Sequence, residues 1–253
     1  MIGFQRRDRA FEVGVRECPF ERIAPPCLLK KAPMQERPQA PTSRTRVRRH
    51  PERAAYDRAA LEAILDEGLI AHVGLVDDGS PVVIPTMYVR DGERLYLHGS
   101  RAARWIRLAI GGAELCVAVT LLDGLVLARS AFHHSMNYRS VIIYGHAALV
   151  EDRDEQLHAN ARLVDHVVRE RSHDVRAPHQ KELDATAILS MNIAEASVKT
   201  RTGGPIDDAG DTTLATWAGV IPARMAFDAP LPDTTIPPIA EPSLHVRAYR
   251  RGT

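Results

Sequence analysis

The sequence predicts a mainly β protein, a small antiparallel β-barrel with a few peripheral helices. Three strands come first, at residues 69–76, 81–89 and 93–98, and short turns rich in Asp and Gly join them. Such a meander differs from the alternating strands and helices that mark a parallel sheet. Further strands follow at short spacing, with helices only at the ends and at two crossovers. Six or more strands arranged in this way are typical of a small barrel.

Three helices are predicted from apolar periodicity and from start and stop residues. The first begins near Asp57, whose side chain suits an N-cap, and stops at Gly68. The second is predicted at residues 102–110, and the third is an amphipathic helix at residues 155–170. The remaining strands are predicted at residues 113–121, 125–132, 138–150 and 187–199, with a turn at 122–124.

The chain divides into three parts by composition. Residues 1–53 are rich in Arg and Pro and carry thirteen Lys and Arg against six Asp and Glu, whereas the whole chain has a formal charge of only +1. We therefore expect residues 1–53 to be a disordered, solvated extension, and the alternative is a true start at Met34, with the preceding residues an over-extended reading frame. Residues 54–225 are predicted to form the barrel domain, and residues 226–253 a Pro-rich tail along its surface.

Several classes of protein are disfavoured by the same sequence. No apolar run reaches the roughly 18 residues of a membrane span, and the start lacks the apolar stretch of a secretory signal. The three cysteines, Cys18, Cys27 and Cys116, show neither disulfide nor metal spacing. We expect a soluble, cytoplasmic protein with no membrane, nucleic-acid or metal partner.

A phosphate site is suggested where the third strand ends and the second helix begins. His98, Gly99 and Ser100 close the strand, and Arg101 and Arg104 lie on the first turns of the helix. A helix N-terminus beside a small residue and a hydroxyl can bind phosphate, and arginine can clamp it through two hydrogen bonds. The alternative is that Gly99 and Ser100 only cap the start of the helix.

A polar cluster at residues 133–140 interrupts the apolar stretch between residues 125 and 145. Unpaired polar groups are costly in a core, so we interpret the cluster as the lining of a ligand site at the end of a sheet. Its members are His133, His134, Ser135, Asn137, Tyr138, Arg139 and Ser140.

This polar cluster could belong to one of three kinds of site. A Ser–His hydrolase is disfavoured because adjacent side chains on an extended chain point to opposite faces, and because no GxSxG elbow is present. A histidine metal site lacks the spacing of the known motifs. The histidines considered for it are His98, His133, His134 and His146. The favoured interpretation is a cofactor rim, in which Asn137, Arg139 and Ser140 hydrogen-bond a polar ring or a phosphate.

Three further features carry weaker signals. Pro85 interrupts the second strand at Pro85–Tyr88, which would free backbone groups to face a ligand. Lys199 and Arg201 flank a glycine-rich loop and either reach an anion or are surface charges. Trp217 is assigned to the core, with stacking on a ligand as the alternative.

Several segments, taken in chain order, resemble one known family. They are IPTMYVR, LYLHGS with the arginine helix after it, LLDGLVLARSAFHHSMNYRSV, ELDAT, SVKTRTGGPIDD and WAGVIP. Over residues 55–225 the chain is similar to the FMN-binding split-barrel proteins of the pyridoxamine 5′-phosphate oxidase superfamily, in the branch related to nitroimidazole reductases. The first 50 or so residues have no counterpart there, and residues 169–180 depart from the family's Pro-Gly-Arg-Trp pattern.

The resemblance implies a six-stranded antiparallel split barrel that forms a homodimer, with FMN at the subunit interface. It implies that the strand at Thr86–Tyr88 runs along the flavin ring and that Gly99, Ser100 and Arg104 hold the phosphate. The full set of implied cofactor contacts is Pro85, Thr86, Met87, Tyr88, Gly99, Ser100, Arg104, Ser135, Asn137, Tyr138, Arg139, Ser140, Lys199, Arg201 and Trp217.

The activity implied by the resemblance is that of an FMN-dependent oxidoreductase. Its substrate would be small and planar, such as a nitroaromatic, a quinone or a pyridoxine-like compound. His133 and His134 are the candidates for an acid or base. The alternative is a non-catalytic protein that binds flavin or haem for storage or sensing, and FAD, coenzyme F420 and haem are the alternative cofactors.

Overall fold

The structure is a computed structural model that describes residues 39–233 and 241–251. Its strands are β1 (Ala54–Ala55), β2 (Ile70–Asp77), β3 (Ser80–Asp91), β4 (Arg94–Ser100), β5 (Glu114–Leu127), β6 (Ser135–Leu149), β7 (Thr186–Asn192), β8 (Ala196–Arg201) and β9 (Gly219–Pro222). Its α-helices are α1 (Arg58–Glu67), α2 (Arg104–Ile110), α3 (Arg153–Val167), α4 (Gln180–Ala185) and α5 (Leu244–Arg247). No helix in these two ranges is long and apolar enough to cross a membrane.

Six of the strands form a closed antiparallel ring in the order β6–β7–β4–β3–β2–β5, and β5 pairs with β6 to complete it. Strands β8 and β1 extend the sheet outward from β6, and β9 extends it from β5. This ring of six strands with few helices confirms the predicted mainly β split barrel.

The ring closes because two long strands each change partners along one edge. β6 pairs first with β8, over Tyr138–Ile143, and then with β7, over Ala147–Leu149. β5 pairs with β2 near Val117 and with β9 from Gly124 to Leu127. A strand that leaves one neighbour for another joins two sheets, as at the corners of other barrels.

Aliphatic side chains fill the interior of the ring. Val73, Leu97, Val117, Ile143 and Leu189 are all fully buried there, and burying each such side chain contributes about 1.5–3 kcal/mol. Because the interior is packed in this way, a ligand as large as a flavin has to bind at an end of the barrel or on its outer surface.

Helix α1 closes one end of the barrel, as the sequence predicts. Asp57 caps its start by accepting a hydrogen bond from the Ala60 amide at 2.8 Å. At its end the Tyr88 hydroxyl donates to the carbonyl oxygen of Leu65 at 2.8 Å. A Cβ atom on Gly68 would lie 2.6 Å from that hydroxyl, so the tyrosine's position requires glycine there.

Helix α3 covers the outer surface of β3, β4 and β7. Its Ala159 and Leu163 pack in a second buried cluster with Val89, Tyr96 and Ile188. The part of these three strands around Val89, Tyr96 and Ile188 is therefore covered by the chain itself.

The predicted turn at residues 122–124 is wrong. β5 runs without interruption from Glu114 to Leu127, and its register with β6 shifts between Leu122 and Gly124 as a β-bulge. A Cβ on Gly124 would lie only 2.9 Å from the Ile221 carbonyl oxygen, so glycine here admits β9. Asp-Gly suits a bulge as well as a turn, and sequence does not separate the two.

Two other boundaries also differ from the prediction. The strand predicted at 187–199 is two strands, β7 and β8, with a turn between them in which Asn192 accepts a hydrogen bond from the Ala194 amide. Most of the polar cluster is not an insertion between strands, because Ser135–Ser140 lies inside β6, where it pairs with β5, and its residues from Tyr138 onward also pair with β8. Helix α4 was not predicted.

Part of the predicted disordered extension packs on the barrel. Arg44 forms ion pairs with Glu114 and Glu195, and its guanidinium lies 4.6 Å from the centre of the Tyr144 ring. Thr45 is 2% exposed. The prediction of disorder is therefore wrong for residues 39–53, whereas residues 1–38, with the proposed start at Met34, lie outside the described residues.

Candidate functional site

The predicted cofactor residues fall into two groups on opposite sides of the ring. The first wall consists of Pro85–Tyr88 in β3 and Gly99–Arg104 at the end of β4 and the start of α2. The second wall consists of Ser135–Ser140 in β6 and Lys199–Arg201 in β8. In the ring, β3 and β6 are separated by two strands in either direction. Within one chain, the two walls do not face a common site.

The strand of the first wall places only some of its side chains outside the barrel. Pro85 is exposed, and it lies opposite His72 of β2. Tyr88 is fully buried, and burial raises the pKa of its hydroxyl above the usual value. The tyrosine ring therefore belongs to the core, and only its backbone can face a ligand. His98, paired near Met87, keeps a buried Nδ1 atom without a partner, and burial lowers its pKa.

In the predicted phosphate turn at the end of β4, the residues Gly99, Ser100 and Arg104 each have a structural role. The Ser100 hydroxyl accepts a hydrogen bond from the Ala102 amide at 3.2 Å. A Cβ on Gly99 would lie 3.0 Å from Ile106, so glycine lets α2 approach. The Arg104 side chain is exposed, and its Nε lies 2.5 Å from the Asp77 carboxylate. A phosphate bound here would share Arg104 with that aspartate.

The second wall contains a buried arginine that forms no ion pair with a carboxylate in the part of the chain that the structure describes. Arg201 is 5% exposed and donates to the Asn137 side-chain oxygen at 2.5 Å and to the carbonyl oxygens of Gly203 and Gly204. The Asn137 amide also donates to Gly203. Burial lowers the pKa of Arg201, and the nearby Arg53 lowers it further. These neutral partners satisfy the donors but leave the positive charge uncompensated.

A second arginine of this wall is fully engaged in ion pairs. Arg139 contacts the Glu67 carboxylate at the end of α1 and the Asp123 carboxylate at the bulge of β5. Hydrogen bonds to both carboxylates raise the pKa of Arg139 above its usual value. Beside it, the Ser140 hydroxyl donates to the Lys199 carbonyl oxygen at 3.2 Å. These contacts join α1, β5, β6 and β8.

Arg139 also lines a cleft of about 440 Å³ beside the bulge. Arg251, from the C-terminal segment, closes one side of this cleft and donates to the carbonyl oxygens of Glu67 and Gly68 at the end of α1. Leu121 and Leu122 supply apolar surface in the cleft. The chemistry of the lining suits a ligand with one polar and one apolar side.

The two adjacent histidines before β6 have different partners. The Nε2 atom of His133 lies 3.3 Å from the Asp208 carboxylate in the loop after β8. The Nδ1 atom of His134 lies 2.9 Å from the Ser130 carbonyl oxygen. Neither histidine has a hydrogen bond with Ser135. The two described ranges contain no group of three or more His, Cys, Asp or Glu side chains placed to hold a metal ion.

An apolar surface follows the same histidines across β6, β5 and β9. Met136 pairs opposite Leu125, and Leu125 pairs opposite Ile221. The ring of Trp217 lies against Gly219, where a Cβ would be 2.8 Å from it. All four apolar side chains are at least 40% exposed. We call Met136, Leu125, Ile221 and Trp217 the apolar face. The prediction of Trp217 as a core residue is wrong, because its ring is 64% exposed.

Several residues that shape these sites were missed by the sequence analysis. Glu67 and Asp123 hold Arg139, yet they lie 72 and 16 residues from it along the chain. Asp207 accepts hydrogen bonds from the Arg129 amide and guanidinium across a separation of 78 residues. No motif connects such positions, and only the fold brings them together.

The comparisons with known proteins agree with this fold. The sequence model of the family described as Pyridoxamine 5′-phosphate oxidase matches residues 57–200. The barrel and the match together define the class of protein: the chain has the split-barrel fold of the flavin-binding proteins of this kind. It belongs to the pyridoxamine 5′-phosphate oxidase family. No curated protein matches the sequence.

Two solved structures are similar to most of the chain. The flavocytochrome Anf3 from Azotobacter vinelandii is 41% identical, covers 85% of this chain and 100% of that chain, and has a TM-score of 0.80. The FAD and heme binding protein from Mycobacterium smegmatis is 34% identical, covers 77% of this chain and 96% of that chain, and has a TM-score of 0.74.

Proposed function

We propose that this protein binds FAD and haem and acts as an oxidoreductase. The observation that carries the proposal is the 41% identity to a flavocytochrome over the whole length of that protein. The second relative is described as binding FAD and haem, which favours FAD over the FMN expected from the sequence. When bound, the flavin supplies the electron transfer, and the protein supplies binding, orientation and control of access.

We further propose that two copies of the chain complete the flavin site. The first wall offers the exposed residue Pro85 and the hydroxyl of Ser100, and the second wall offers Arg201, whose charge has no carboxylate partner among the described residues. Since these walls lie on opposite sides of one barrel, a site that uses both requires the first wall of one copy and the second wall of another. A homodimer with two equivalent sites meets that requirement.

The positive charge of the second wall suits the phosphates of a dinucleotide flavin. Arg53 lies close enough to Arg201 to lower its pKa, and Lys199 forms no ion pair with a described residue. A phosphate nearby would relieve the repulsion among these cations and the cost of burying one of them. The substrate, whether nitroaromatic, quinone or pyridoxine-like, remains a prediction.

The first test is the absorbance spectrum of the purified protein. We expect flavin bands together with a Soret band, and FAD rather than FMN in the mass spectrum of the released cofactor. A colourless protein that takes up neither added flavin nor hemin would contradict the proposal. Anaerobic reduction by NADH or NADPH, followed by turnover of an added acceptor, distinguishes an enzyme from a non-catalytic carrier.

The second test is complementation between two defective variants. One carries Ser100→Ala and Arg104→Ala in the first wall, and the other carries Lys199→Ala in the second wall. If each site spans two copies, a mixed dimer contains one intact site of its two, so flavin binding in an equal mixture, where about half of the dimers are mixed, returns to about a quarter of the wild-type stoichiometry. If each site lies within one chain, the mixture binds no more flavin than its two components do separately.

A further inference from the structure

One ring nitrogen of His134 is held by a hydrogen bond, and the other has no partner among the described residues. Its Nδ1 atom lies 2.9 Å from the Ser130 carbonyl oxygen, and a carbonyl oxygen only accepts hydrogen bonds. Nδ1 therefore carries the proton, and in the neutral ring Nε2 keeps a lone pair. Histidines that bind a metal ion usually have this arrangement, in which a hydrogen bond to a carbonyl or carboxylate orients the ring. The His134 side chain is exposed, so its Nε2 is accessible.

The surface beside His134 is apolar and wide. His134 directly precedes β6, and Met136 is the second residue of that strand. From Met136 the apolar face continues through Leu125 to Ile221 on successive strands. Three strands at about 4.8 Å spacing make a surface about 10 Å wide. Beyond His134 on the other side, Phe132 is 89% exposed.

The other histidines lack this combination. Five of them have a carboxylate partner, and these are His50, His133, His158, His179 and His245. His166 donates to the Gly68 carbonyl oxygen and faces Arg251, which disfavours a further cation. His98 is half-buried, with its Nδ1 atom enclosed. Within residues 39–233 and 241–251, no hydrogen-bond partner orients the ring of His72 or His173.

His146 is the matched comparison for His134. Its Nδ1 atom also lies 3.0 Å from a backbone carbonyl oxygen, that of Gly112. It occupies the opposite end of β6, however, where Glu114 lies directly across from it. The imidazole geometry is the same, but a charged residue replaces the apolar face.

We propose that His134 is an axial ligand of the haem iron and that the apolar face receives the porphyrin. The proposal rests on the haem half of the proposed function, and it adds the residue and the surface that hold the group. Neutral imidazole is a common haem ligand, and burying the porphyrin against Leu125, Met136 and Ile221 would remove exposed apolar area from water. It also gives a role to part of the polar cluster that the flavin does not use.

The test is hemin titration of full-length His134→Ala beside His146→Ala and the wild type. We expect His134→Ala to bind hemin at least about tenfold more weakly, because loss of even an outer-shell partner costs 10–100-fold, and to show a displaced Soret band. Added imidazole should restore the band. Flavin content should match the wild type in both variants, which reports correct folding, and His146→Ala should keep the wild-type spectrum.

Four outcomes would overturn the proposal. The first is wild-type affinity and an unchanged Soret band in His134→Ala. The second is an equal loss of hemin affinity in His146→Ala or His72→Ala. The third concerns Leu125→Asp: if this change separates a dimer into monomers without weakening hemin binding, a second copy and not haem covers the apolar face. In the fourth, the wild type binds flavin but never haem, which removes the haem half of the proposed function and leaves the flavin half intact.

Discussion

The two walls of the barrel use their polar residues in opposite ways. On the first wall, Ser100 and Arg104 are exposed, and their contacts with Ala102 and Asp77 are local or lie at the surface. On the second wall, Arg201 and Asn137 are buried, and their bonds close a loop onto the sheet. Polar residues that look alike in the sequence thus differ in whether the fold depends on them.

This difference determines which residues can be replaced, or can bind a ligand, without destabilising the fold. An exposed polar side chain exchanges water for a ligand at little structural cost. A buried polar side chain that loses its partner lowers the free energy of unfolding substantially. We therefore expect changes in the first wall to affect mainly ligand binding, and changes in the second wall to affect stability first. The following predictions test that contrast, from the largest expected effect to the smallest.

Replacing Arg201 by Met should lower the free energy of unfolding by about 3 kcal/mol. The change leaves the buried side-chain oxygen of Asn137 and the Gly204 carbonyl oxygen without the donors that Arg201 supplies, and each polar group left unsatisfied in a buried place costs about 1–3 kcal/mol. Chemical denaturation measures the effect. The control is Lys199→Met in the same strand, which we expect to change stability by less than about 1 kcal/mol. Equal losses of stability in the two variants would contradict the expected difference between the buried Arg201 and its less buried neighbour Lys199.

The free energy of unfolding should depend on pH through His166, which packs beside Tyr88, the core-facing residue of the first wall. Its ring lies 5.2 Å from that of Tyr88, and burial and Arg251 lower its pKa from 6.5 to about 4. As pH falls from 6.5 to about 4, the unfolded chain binds a proton that the folded chain does not. The free energy of unfolding should therefore decrease by about 2 kcal/mol across this window, after allowance for partial exposure.

His166→Gln should flatten that part of the stability profile, because glutamine can donate to the Gly68 carbonyl oxygen without titrating. The profile is measured by urea denaturation at a series of pH values. The control is His173→Gln, an exposed position without a side-chain partner, which should keep the wild-type slope. An unchanged slope in His166→Gln would show that other groups cause the pH dependence.

The smallest effect on stability is expected for Ser100→Ala combined with Arg104→Ala. Arg104 is 68% exposed in its pair with Asp77, whose side chain is 11% exposed, and pairs with a solvent-exposed partner contribute about 0–1 kcal/mol. Flavin affinity, followed by quenching of flavin fluorescence, should nevertheless fall by about tenfold if these residues bind a phosphate, since one charge-assisted hydrogen bond is worth about 1.5–3 kcal/mol. Arg107→Ala, on the exposed side of the same helix, is the control. Unchanged flavin affinity would move the phosphate site to the second wall.

The local elements were predictable because short-range signals define them. Asp57 and Gly68 bracket α1 as an N-cap and a stop would, and the Asp-Gly turns before β3 and β4 establish the meander. The break between β7 and β8 was missed because it contains no Gly or Pro. The turn predicted at Gly124 was wrong because only β9, far along the chain, distinguishes a bulge from a turn.

The sequence alone determined the β-barrel class, the family and the residues that carry polar chemistry, because periodicity, capping and motif order are local properties of the chain. Tertiary structure alone decided what each polar residue does. It placed Arg139 between Glu67 and Asp123, buried Arg201 among carbonyl groups, and separated the two walls. The physical reason is that a side chain's role depends on its burial and on its partners, which the closure of the barrel brings from distant parts of the chain.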